Sequence, residues 1–159
     1  MTKVKRFYNA QEKLAAYDQE SENLREDAQE FTDAINLPNI VKSLRKSFKE
    51  PQTYYKVFQE SRIDPDSDPA EGFCMVACYL IYTLTGGERV WQIRGTEKHW
   101  WLYHKLSQKI FDITHTQFKP NELPNIYRSG RPAQYLQNGA AFDNVLKEEA
   151  AKLAKCAGL

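Results

Sequence analysis

The chain has 159 residues, of which 42% are hydrophobic and 27% charged, and its formal net charge is +1. These values are typical of one globular domain, and the small net charge does not favour a nucleic-acid-binding or membrane-binding protein. The sequence shows no apolar segment of a secretory signal and no run that could span a bilayer. Three cysteines without a disulfide-framework spacing favour a reduced compartment, so we expect a cytoplasmic protein.

The first part of the chain predicts helices with little apolar surface. Residues 9–35 contain no proline or glycine and favour one long helix or two shorter ones with a thin apolar stripe. We therefore predict a helical extension at residues 1–37, followed by the main domain at residues 38–159. Because a thin stripe buries little area, deletion of residues 1–35 should leave a folded domain.

The most apolar segment, EGFCMVACYLIY at residues 71–82, predicts a central buried helix. It is preceded by a helix at 38–49 and by a turn-rich loop at 61–72. The loop ends in Asp68-Pro69-Ala70-Glu71, which has the form of a helix start with Asp68 as the N-cap. Gly86-Gly87 provides the stop signal.

The hydrophobic period then changes from helical to alternating. Residues 89–94, 99–104 and 109–114 predict three strands of a small antiparallel sheet, and residues 140–156 predict a C-terminal helix. The order of helices, buried helix, sheet and final helix indicates an α+β fold.

Three side chains in this order indicate a thiol-based active site. A thiol becomes a nucleophile when a helix N-terminus or an imidazole favours its ionisation, and Cys74 lies early in the buried helix. His99 opens the second predicted strand, and Asp112 in the third could orient its ring. Cys74, His99 and Asp112 are therefore the predicted nucleophile, proton carrier and orienting carboxylate.

The hairpin register decides whether His99 meets Asp112. If the two residues pair directly, their side chains share one face of the sheet. A two-residue turn at Ser107-Gln108 would instead separate them by four residues along the strands. Ser-Gln is a poor pair for a tight turn, so we predict direct pairing.

Several short motifs resemble one group of cysteine hydrolases. They are Gly72-Phe73-Cys74, Gly86-Gly87, His99-Trp100-Trp101, Phe111-Asp112-Ile113-Thr114 and Gln117-Phe118. Their order resembles the papain-like arrangement, and the local letters resemble the small bacterial and phage YunG-like proteins over roughly residues 40–135. The resemblance implies a papain-like fold without a metal or organic cofactor. Phe73 stands where that pattern has glutamine, so a donor supplied by that glutamine is missing here.

The resemblance implies a thiol mechanism, and on this basis we expect a hydrolase or acyltransferase that acts on an amide, isopeptide or ester bond of a protein or peptide-like substrate. Its substrate-binding candidates are Trp101, Gln92 and Arg131, of which the first two could also supply an oxyanion donor. The turn at residues 128–132 contains two arginines. It is either a solvated loop or a clamp for an anion or carboxylate.

Other interpretations of the same residues stay open. Cysteine is often buried, so Cys74 could be a core residue, and core packing is the better interpretation of Cys78. A zinc site of both cysteines and two histidines has a weak spacing. His104 and His115 are expected at the surface. The alternative function is a non-catalytic protein-binding module whose N-terminal helices dock a partner.

Overall fold

The computed structural model describes residues 10–58, 67–133 and 140–159. These residues form an α+β fold of six α-helices and a four-stranded antiparallel sheet, which confirms the predicted class. The helices are α1 (Ala10–Ala28), α2 (Leu37–Phe48), α3 (Pro51–Phe58), α4 (Cys74–Leu84), α5 (Leu123–Arg128) and α6 (Ala140–Ala157). The strands are β1 (Trp91–Gly95), β2 (Trp100–His104), β3 (Ile110–Phe111) and β4 (Arg131–Pro132).

The sheet has the order β3-β2-β1-β4. α4 packs against β1 and β2, and α6 packs against α4, α3 and α2. β4 was not predicted, because two residues are too short for an alternating pattern. Within the described ranges, none of the helices combines the length and apolar character needed to cross a bilayer.

The β2–β3 register differs from the predicted one by two residues. Leu102 pairs with Phe111, and continuing this register places Asp112 opposite Trp101 instead of His99. The cause is a four-residue loop, which is closed by a 2.9 Å bond from the His104 N–H to the Lys109 carbonyl. A shift of two residues keeps each side chain on its own face of the sheet, so His99 and Asp112 become diagonal neighbours.

The central helix begins later than predicted. The Asp68 carboxylate accepts the Ala70 N–H at 2.8 Å, as expected of an N-cap, but this bond closes only a turn. Gly72 then adopts φ +89°, a left-handed conformation that interrupts a right-handed helix and favours glycine. Helix α4 therefore starts at Cys74, which places the thiol on the first helical residue.

The N-terminal extension contributes to the core. Most of α1 is exposed, as predicted, but Phe31 after its end is buried. The Phe31 ring contacts the rings of Trp91, His104 and Phe111 at centroid distances of 5.4, 4.8 and 5.3 Å. The expectation that residues 1–35 are dispensable for folding does not fit this packing.

His104 is buried, which corrects the prediction of a surface histidine. Its Nε2 lies 2.7 Å from the Asp33 carboxylate, and its Nδ1 lies 2.8 Å from the Ser107 hydroxyl. Both ring nitrogens therefore have partners, which allows the ring to lie inside the protein. His115 is only partly buried and contacts Glu20 of α1 at 3.0 Å.

Arg45 on α2 is a buried cation that joins three segments. Its guanidinium lies 3.7 Å from the Tyr17 ring centroid and donates to the Ser21 hydroxyl at 2.8 Å, both on α1. It also donates to the Ile113 carbonyl at 2.9 Å and to the Thr116 hydroxyl at 3.2 Å. α1 is thus bonded to the segment that follows β3.

Phe31→Ala should lower the free energy of unfolding by about 3–5 kcal/mol, because it empties a site lined by three aromatic rings. Leu14→Ala on the exposed side of α1 is the control and should cost less than about 1 kcal/mol. Urea unfolding followed by circular dichroism measures both values. Equal, small losses would restore the interpretation of residues 1–35 as a separable extension.

Candidate active site

Cys74 occupies the first position of α4 and is 8% exposed. The first N–H groups of a helix have no partner within the helix, and this end of the helix dipole favours negative charge. Phe73, the preceding residue, is buried and stacks on Phe48 of α2 at a centroid distance of 4.5 Å. The start of α4 is therefore fixed against the helical layer, with the thiol at its tip.

The imidazole of His99 lies between a carboxylate and this thiol. Its Nε2 is 2.6 Å from Oδ2 of Asp112, and both side chains are buried. Its Nδ1 has no partner with hydrogen-bond geometry among the described residues. The Cys74 sulfur nevertheless interacts closely enough with the ring to help raise the pKa of His99. The structure thus brings together Cys74, His99 and Asp112.

The surroundings of His99 raise its pKa. Burial alone lowers the pKa of His99, but the hydrogen bond to Asp112, the nearby Cys74 sulfur and the Asp112 charge outweigh it and raise the pKa to about 9. At neutral pH the ring therefore carries a proton that can be passed to another group.

Asp112 is held by several donors. Its Oδ1 accepts the Thr114 N–H at 3.1 Å and the Thr114 hydroxyl at 3.3 Å. Its Oδ2, which contacts His99, also accepts the hydroxyl of Tyr127 at 2.7 Å. Burial and the Asp112 charge raise the pKa of Tyr127, so this hydroxyl stays a donor. Sequence reasoning missed Tyr127, because its stretch of sequence gives no strand register from which to infer a contact with Asp112.

Trp101 supports the site from behind and offers no surface to a substrate. It is fully buried, and its ring centroid lies 5.7 Å from that of His99 and 5.0 Å from that of Tyr127. Gly130 packs so closely on Trp101 that a β-carbon there would overlap the ring. Phe118 completes the enclosure with an edge contact to His99 at 4.7 Å.

The other two substrate-binding candidates lie elsewhere on the sheet. The Gln92 side-chain oxygen accepts a 2.8 Å bond from Arg94. Arg131 is exposed on β4 and lines an open depression of about 460 Å³ between residues 95–98 and α5. Cys74 does not line this depression, which lies beside the three-residue site.

Cys78 is a buried core residue, one helical turn after Cys74. Burial and the nearby Asp112 charge raise the pKa of the Cys78 thiol well above its ordinary value, so this thiol is held in its protonated form at neutral pH. Across the part of the chain that the structure describes, no three cysteine, histidine or acidic side chains are grouped as metal ligands.

The stability of the fold should fall as the pH rises from about 6.5 to 9. Because the pKa of His99 is about 9 in the folded state and 6.5 is its ordinary value, its contribution is complete below pH 6.5 and lost through pH 9. Asp112→Asn should remove on the order of 2 kcal/mol of this pH-dependent change in the free energy of unfolding. Urea unfolding at a series of pH values measures it, and parallel curves for the two proteins would contradict the His99–Asp112 pairing.

Comparisons with known proteins give one match. No curated protein and no solved structure matches the chain. A family model described as YunG protein matches residues 36–154, from the turn before α2 to the last turns of α6. The matched range contains the three residues of the candidate site and leaves out α1. Since the match covers well over half of the sequence, this chain belongs to the YunG family.

Proposed function

We propose that this protein is a cysteine-dependent hydrolase or acyltransferase with a papain-like arrangement of its active site. It acts on an amide, isopeptide or ester bond through a thioester intermediate. One observation carries the proposal: the buried ring of His99 bonds to Asp112 through Nε2 and interacts with the Cys74 sulfur, while its Nδ1 has no hydrogen-bond partner among the described residues. A ring held in this way can move a proton to and from sulfur.

In the first half of the reaction, His99 starts as the imidazolium that its raised pKa favours at neutral pH. The Cys74 sulfur, whose proton that ring holds, attacks the substrate carbonyl carbon as a thiolate. The carbonyl π electrons move to oxygen, and the backbone N–H of Cys74 at the helix start donates a hydrogen bond to that oxygen. His99 then gives the proton to the leaving amine or alcohol as its bond to carbon breaks. The acyl group remains on sulfur as a thioester.

In the second half, water or an amine attacks the thioester carbonyl and loses a proton to His99. The carbon–sulfur bond breaks, the Cys74 sulfur leaves as a thiolate, and His99 keeps the proton, which restores the starting pair. The acceptor alone distinguishes hydrolysis from acyl transfer. Asp112 keeps one ring nitrogen protonated and stabilises the imidazolium in both halves.

A protein-binding module is the second candidate function, and the low exposure of Cys74, 8%, favours it. The position of Phe73 also favours it, because a buried ring occupies the place of a polar donor in the family pattern. Reactivity of the thiol separates the two functions.

Cys74 should react with iodoacetamide near pH 7 much faster than Cys78 or Cys156 in the same protein. His99→Ala should slow this reaction by about tenfold or more near pH 7, and the rate should recover near pH 10 because hydroxide then ionises the thiol. Mass spectrometry of peptides from timed samples gives each rate separately.

The two less reactive cysteines serve as controls for local unfolding in every variant. Asp112→Asn keeps the shape of the site while allowing the wrong tautomer of His99, so it should also slow the reaction with the fold intact. If the pH profiles of Cys74 in the wild type and in His99→Ala coincide, the catalytic proposal is wrong and the binding module is preferred.

Tyr127→Phe should raise the pKa of His99, because the Asp112 carboxylate loses a competing donor and interacts more strongly with the ring. The loss of the hydrogen bond should cost about 1–2 kcal/mol of stability. NMR titration of the histidine rings measures the pKa. Tyr103→Phe is the control, since its hydroxyl makes no hydrogen bond within the described residues, and an unchanged pKa in both variants would count against the Tyr127 contact.

A further inference from the structure

The open depression beside the candidate active site is built from segments that also hold the site. One wall is the turn at residues 95–98, which leads directly into His99, and the other includes Ile126, which precedes Tyr127 on α5. A ligand in the depression would therefore touch the segments that carry His99 and Tyr127, the two side chains that contact Oδ2 of Asp112.

The turn that forms the first wall has a fixed shape. The Thr96 N–H donates to the His99 carbonyl at 2.8 Å. The Thr96 hydroxyl accepts the N–H groups of Lys98 and His99 at 3.1 and 3.2 Å. Because these bonds close the turn on itself, the Lys98 side chain extends from a rigid base and is exposed.

Two cations line the depression, and two more lie on neighbouring residues. Lys98 and Arg131 line it directly. Arg128 donates to Asn125 on its wall at 2.6 Å, and Arg94 donates to the Gly130 carbonyl at 3.0 Å.

These cations face little opposing charge. Within the described ranges, none of the four forms an ion pair, and Glu97 is the one acidic residue that lines the depression. Elsewhere on the surface Lys49 and Lys109 do pair with carboxylates, each at 2.7 Å. An excess of unpaired cations around a concave surface attracts an anionic group.

We propose that this depression binds an acidic segment of a polypeptide, and that this segment is the part of the substrate that directs a neighbouring acyl group toward Cys74. The second half of this inference rests on the proposed function, because it requires one substrate both to occupy the depression and to react at Cys74. The carboxylates of the segment would replace the missing counter-charges of Lys98 and Arg131, while its backbone could bond to the exposed polar groups of Asn125 and Ser129.

A peptide fits better than a nucleic acid. The chain as a whole has a net charge of +1, so it lacks the extended basic surface that tracks a phosphate backbone. The cations also lie beside a site whose chemistry suits a carbonyl group.

The binding test uses the full chain with Cys74→Ala, so that no covalent step interferes. The probe is a fluorescein-labelled peptide of alternating Glu and Gly with blocked ends, and its matched control has Gln in place of Glu. Fluorescence anisotropy should show that the Glu peptide binds about tenfold or more tightly than the Gln peptide and that added salt weakens it. Lys98→Gln and Arg131→Gln should each weaken binding by about two- to fivefold, and Lys147→Gln on α6 should not.

Equal affinity for the two peptides, or unchanged affinity in the double variant Lys98→Gln/Arg131→Gln, would overturn the proposal. Tighter binding of a single-stranded oligonucleotide, lost in the same double variant, would overturn the assignment to a peptide. In wild-type protein the Glu peptide should slow the alkylation of Cys74, and an unchanged rate would show that the depression is not a subsite of the thiol. A Cys74 that never reacts, with charge-dependent peptide binding intact, would refute the chemistry while the acidic-peptide site stands.

Discussion

The buried guanidinium of Arg45 is the interaction on which the arrangement of this protein depends. Burial lowers the pKa of Arg45, although the interaction with Tyr17 opposes this effect, and a buried cation is tolerated only where hydrogen bonds replace water. The groups that accept these hydrogen bonds lie on α1 and at Ile113, the residue after Asp112. The charge thus fixes the N-terminal helix and the end of β3 in one position relative to each other.

The same network reaches the thiol. Thr116 accepts a bond from Arg45 and donates to the Asp68 carboxylate at 2.9 Å. That carboxylate in turn closes the turn that precedes Cys74. The two ends of the candidate site, the Asp112 carboxylate and the start of α4, are therefore connected to one side chain on α2. α1, which lies outside the family match, supplies part of the shell that keeps this side chain buried.

The sequence predicted the three central residues because their signals are local: a thiol in an apolar helix, and a histidine and an aspartate in alternating segments. His99 and Asp112 still meet although the predicted register was wrong, because a register shift by an even number of residues keeps each side chain on the same face of its strand. The observed register is set by a loop in which Gln108 adopts φ +62°. Glutamine rarely adopts this conformation, so the sequence does not predict it. Phe31 and Tyr127 were missed because their partners lie far away in the sequence, where periodicity carries no information.

The burial of Phe73 constrains which side chains this position can hold. Its ring is part of the hydrophobic core and packs between α2 and α3, against Phe48 and Tyr54. A glutamine at this position would put an amide among aromatic rings, where an unpaired polar group costs about 1–3 kcal/mol. Phe73→Gln would therefore be tolerated only together with compensating changes in the two helices that pack on this ring.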